Sequence, residues 1–201
     1  MTENHEIIPA PAEPEAVRPP AKWLQYLFYV HIAAVILSLT AFIPVTLTVT
    51  TWISHILSAG TAVCIYGLAA ASPRYRKAAI MMALAVALQI LSKLGLTSLL
   101  TLTSSILTII ASYQELYGHS DVVKQADPKL AENWRSLFVW QIVIGVLSGL
   151  SSVAAVVIML LANMEQDQIV QLVAGAIVLV SLIPGVLYLV YLRRMLRLFQ
   201  N

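Results

Sequence analysis

Charge is scarce in this chain. Only 11% of its residues are charged and 59% are hydrophobic, where a soluble domain carries roughly 25% charge. With a mean hydropathy of +0.83, the chain has too little polar surface to cover a water-facing exterior. A bilayer is the expected solvent. The net charge of +2 is small and dispersed, so no nucleic-acid partner is expected.

Cysteine is nearly missing as well. Cys64 stands alone, which excludes an intrachain disulfide and a cysteine-based metal cluster. The apolar stretches contain no Asp or Glu, because all ten acids fall in the tail or between the stretches. Proton relays and intramembrane aspartyl chemistry need embedded carboxylates, so this absence counts against both. Also missing are a glycine-rich phosphate loop, H-E-x-x-H, G-x-S-x-G and a Cys/His pair. The sequence therefore predicts no enzyme, no cofactor and no catalytic or metal-binding residue.

Long apolar runs are what the chain does have. Residues 1–22 stand apart: Pro9, Pro11, Pro14, Pro19 and Pro20 alternate with Glu3, Glu6, Glu13 and Glu15. Such a segment buries too little to offset its ordering entropy, and it lacks a signal-peptide pattern. It is expected to be a disordered cytoplasmic tail. Beyond it, residues 23–201 form one membrane domain whose apolar runs are Leu24–Phe42, Val49–Ala71, Lys77–Ser112, Leu137–Met164 and Ile169–Leu192. About 20 residues cross the hydrocarbon core, so the third run is either one overlong helix or two helices meeting at Ser92-Lys93-Leu94-Gly95.

Basic residues decide between these, since Lys and Arg collect on the cytoplasmic side. With two helices there are six spans with both termini inside. Arg18, Lys22, Arg74, Arg76, Lys77, Lys124, Lys129, Arg135, Arg193, Arg194 and Arg197 are then all cytoplasmic, and only Lys93 is outside. With one helix the basic residues split almost evenly and Lys93 is stranded in lipid at a cost of several kcal/mol. The expected fold is an all-α, polytopic bundle of six spans in three hairpins, in the plasma membrane. Its third span, about Arg76–Leu91, is short, and its inner loop covers about 113–135.

Shifted by about 110 positions, Leu27-Phe28-Tyr29-Val30-His31-Ile32 lies over Leu137-Phe138-Val139-Trp140-Gln141-Ile142. This suggests that spans 1–2 and 5–6 are a duplicated hairpin. His31 and Gln141 occupy matching positions. They predict either interhelical hydrogen bonds, worth about 0.6–2 kcal/mol in membranes, or a polar substrate site at the repeat interface. Span 4 adds a hydroxyl stripe, Thr97, Thr101, Ser104, Ser105, Thr108 and Ser112, on one helical face. Packing is the commoner role for such a stripe, and a polar pathway is the alternative.

Small residues point to helix seams. These are Gly145 and Gly149, Ala79, Ala83 and Ala87, and Ser181 with Gly185, at spacings that allow close backbone approach within the chain or between copies. Pro184 should kink the sixth span. In the inner loop, Asp127 and Pro128 read as the cap and first residue of a helix. Gly118 reads as a helix end, which leaves Glu115, His119 and Asp121 as a weak metal constellation and more plainly a solvated patch. Taken together, the sequence points first to a non-enzymatic scaffold, accessory or regulatory bundle, with the lipid bilayer, a second copy or another membrane protein as partner. The alternative is a small-solute transporter or capture subunit built on His31, Gln141, Thr101, Ser105 and Thr108.

Overall fold

A computed structural model describes residues 19–40, 47–93, 98–162 and 166–200. The side chains of 47, 48, 98, 152, 155–162, 166–175, 177, 178 and 181 lie outside that description, as do residues 1–18 and 163–165. The described residues form six helices: α1 (Ala21–Thr40), α2 (Leu47–Gly67), α3 (Pro73–Lys93), α4 (Ser98–Val123), α5 (Pro128–Ala162) and α6 (Gln166–Gln200). The fold is all-α. Four helices among the described residues are long and apolar enough to cross a membrane: α1, α2 from Val49, α3, and α5 as far as Ser151.

The long third run is two helices, α3 ending at Lys93 and α4 starting at Ser98; Leu94 and Gly95 lie outside the described residues. Three expected boundaries are corrected. First, α1 begins at Ala21, directly after Pro20, so the first helical turn takes two residues from the expected tail. Second, α3 spans 21 residues from Pro73, about 32 Å at 1.5 Å per residue, so it is not short. Third, the expected inner loop is mostly helix, with only 124–127 non-helical between α4 and α5.

Gly118 explains the third correction. A Cβ there would sit 3.0 Å from Tyr75 Cε1, so the glycine lets α3 approach α4 instead of ending α4. α5 does begin as its sequence suggests: Asp127 Oδ1 accepts a hydrogen bond from the Leu130 amide at 3.0 Å, satisfying a first-turn donor. α6 continues through Pro184.

Each helix packs on its neighbours in sequence, and α6 closes against α1. The helices therefore form a ring. The starts of α1, α3 and α5 meet the ends of α2, α4 and α6: the Trp23 ring lies directly on Gly67, Tyr75 reaches His119, and Trp134 meets Tyr191. At this end sits the main core, including Leu24, Leu27, Ile65, Leu68, Leu116, Leu137, Leu192 and Met195. The outward surface is apolar, with Ile56, Val63, Leu102, Val146, Leu150 and Ile183 all more than half exposed. Such a surface suits lipid, which can solvate it, and not water.

Candidate functional site

Above the packed end lies a partly open cavity of about 600 Å³ to which all six helices contribute. α1 brings His31 and Ser38, α2 brings Ser54, Ser58 and Thr61, and α3 brings Gln89. α4 brings Thr108, Ser112 and Glu115, α5 brings Gln141, and α6 brings Gly185 and Tyr188. Gly185 lets α6 approach α1, since a Cβ there would lie 3.4 Å from Val35 Cγ2.

The cavity floor is a hydrogen-bonded chain across three helices. The buried Tyr188 hydroxyl donates to Glu115 Oε1 at 2.5 Å. Its only proton is thereby used, so at 3.2 Å it must accept from His119 Nε2. In a neutral ring Nδ1 is then the acceptor, and the Tyr75 hydroxyl, 2.8 Å away, donates to it. Every partner in the order Tyr75, His119, Tyr188, Glu115 is satisfied in one direction. Trp134 covers His119 with ring centroids 4.5 Å apart; its own indole N–H has no hydrogen-bond partner among the described residues.

His31 stands over this floor. Its ring stacks on Tyr188 at 4.0 Å with an interplanar angle of 12°. Its Nδ1 lies 3.0 Å from the Leu27 carbonyl, which can only accept, so Nδ1 carries the proton.

Beneath the floor the charges pair among themselves. Arg74 meets Asp121 at 2.7 Å and Gln114 at 3.2 Å. Arg135 donates to Ser120 at 2.9 Å, and Arg194 meets Asp127 at 2.7 Å. These contacts join α3, α4, α5 and α6 at their packed ends.

Glu115 corrects the reading of a solvated patch. Because α4 continues past Gly118, Glu115 stays on the helical face of Thr108 and Ser112, three residues on, and is only 5% exposed. Asp121 is on the surface with Arg74, so the three residues do not converge. Among the described residues no group of three His, Cys, Asp or Glu is arranged to hold a metal.

His31, Gln141 and Thr108 share the cavity wall, and Thr101 and Ser105 do not. Ser105 and Thr108 donate to the carbonyls of Thr101 and Ser104, both at 2.9 Å, so the stripe bonds back into its own helix. Of the small residues, Ala79 is buried in the core, while Ala83 and Ala87 are exposed. Gly145 and Gly149 are exposed too, and a methyl added at either would have nothing within 4 Å. Their face meets no other helix of this chain among the described residues. The side chain of Ser181 lies outside the described residues. Two features escaped sequence reasoning. One is the Tyr188–Glu115 bond, 73 residues apart. The other is the α2 face of Ser54, Ser58 and Thr61, whose spacing of four and three is a helical signal.

No family model, curated protein or solved structure matches the chain.

Proposed function

We propose that this is a six-span protein of the plasma membrane, with both termini cytoplasmic, that binds a small solute in its central cavity as a transporter or the capture subunit of one. The observation that carries this reading is the shared cavity. His31, Gln141 and Thr108, from three helices, line one space with hydroxyls of α2. Its volume of about 600 Å³ falls within the range of small-molecule sites. His31 and Gln141 both line the cavity, where a duplicated hairpin would place matching positions, and parallel repeats occur in transporters.

Three thiol labels test this. In a Cys64→Ser background, Ser58→Cys and Gln89→Cys should react with a membrane-impermeant thiol reagent, because a solute cavity must be wet. Failure of both would show a dry seam and end the reading. Lys93→Cys should react from outside the cell; reaction only from the cytoplasm would break the six-span topology.

The scaffold reading retains one specific support, the exposed Gly145/Gly149 face, which is suited to a second copy or a membrane-protein partner. Crosslinking through that face in mild detergent tests it.

A further inference from the structure

Taking the cavity as a solute site, we infer that its ligand is a small organic cation bearing N–H donors, such as an alkylammonium or guanidinium compound, held by Glu115. The grounds are an accounting of hydrogen-bond donors on the wall. A hydroxyl has one proton and two lone pairs. Ser38 spends its proton on the Ala34 carbonyl at 2.9 Å, and Ser54 on that of Thr51 at 2.8 Å. Thr61 spends its own on Leu57 at 3.0 Å and Thr108 on Ser104 at 2.9 Å. Each therefore offers the cavity lone pairs alone.

The floor repeats the pattern. The Tyr188 proton is committed to Glu115 Oε1. The His31 proton on Nδ1 is committed to Leu27, which leaves Nε2 as an acceptor while the ring is neutral. Glu115 Oε2 receives no hydrogen bond among the described residues.

No Lys or Arg lines the space among the described residues. Arg74 and Arg135 lie below the floor and face Asp121. Donors from the protein include the amides of Gln89 and Gln141 and the hydroxyls of Ser58 and Ser112. An anionic solute would meet lone pairs and a carboxylate, whereas a cation with several N–H groups matches them. A bare metal ion fits poorly, because water occupies only about 30 Å³ per molecule and the cavity is near 600 Å³.

The test uses the purified full chain in detergent and three probes of matched size: phenethylammonium, phenethyl alcohol and 3-phenylpropionate, titrated by calorimetry. The ammonium should bind at least about tenfold more tightly than the alcohol, and the carboxylate should not bind. Glu115→Gln keeps an acceptor for Tyr188 and should weaken the ammonium by about tenfold or more while leaving the alcohol unchanged. Should that variant fail to fold, Ser58→Lys places a fixed positive charge on the wall; it should abolish ammonium binding and permit the carboxylate.

Equal binding of the three probes, preference for the carboxylate, or undiminished ammonium binding in the folded variants would overturn the inference and leave a solute cavity standing. Absence of binding by all three overturns it as well. The thiol labels at Ser58 and Gln89 then separate the cases: if they react, only the cation is wrong, and if they do not, the solute cavity fails with it.

Discussion

Around Trp134 the helices are closed by ring-on-ring packing, a directed hydrogen-bond chain and ion pairs, with Tyr75, His119 and Trp134 fully buried. Around Ser58, a few turns along the same bundle, they leave about 600 Å³ unfilled. Both halves are made from the same six helices, so the choice of helix does not separate them. Side-chain size and polarity do. Tyr, Trp and His fill the packed end, where Tyr75, His119 and Tyr188 satisfy one another, while Ser, Thr and Gly stand where the helices part. In lipid no hydrophobic drive pulls helices together, so a bundle with a hole needs another part that holds it shut.

The largest test of this contrast is Trp134→Ala. It should cost about 3–5 kcal/mol, read by unfolding in mixed micelles, while Leu147→Ala on the outward surface should stay within about 0.5 kcal/mol. Equal losses would erase the distinction. Two glycines test it by sign. Gly67→Ala drives a methyl into the Trp23 ring and should destabilise by about 1–3 kcal/mol. Gly149→Ala has open space and should gain up to about 1 kcal/mol from helix propensity. Destabilisation at Gly149 would reveal a neighbour on that face.

Smaller again is Tyr75→Phe, which removes the donor to His119 Nδ1 and should cost about 1–2 kcal/mol. The smallest is Asp127→Asn, which keeps the helix cap but loses the Arg194 pair. Its expected cost is below about 1 kcal/mol and should shrink with added salt.

Parts of this architecture were legible in the residues. Lys93 and Gly95 interrupt an overlong apolar run, and a charge that is costly in lipid marks a break well. Asp127-Pro128 announces a helix start because both residues act locally. Glu115 was not legible, because its environment comes from Tyr188, far along the chain, and because Gly118 reads as a stop until Tyr75 is seen against it. The Gly145/Gly149 face was ambiguous for another reason. A helix apolar all round has no stripe to show which side turns inward, so small-residue spacing alone does not say which neighbour it meets.

Ring closure between α6 and α1 has a consequence for biogenesis. Helices enter the membrane in order, and the last one made carries the hydroxyl that Glu115 requires. A chain stalled before α6 exposes a carboxylate without its tyrosine and a wall with a missing stave. Completion of synthesis is thus the step that both shapes the chamber and supplies the hydroxyl that holds Glu115 in place.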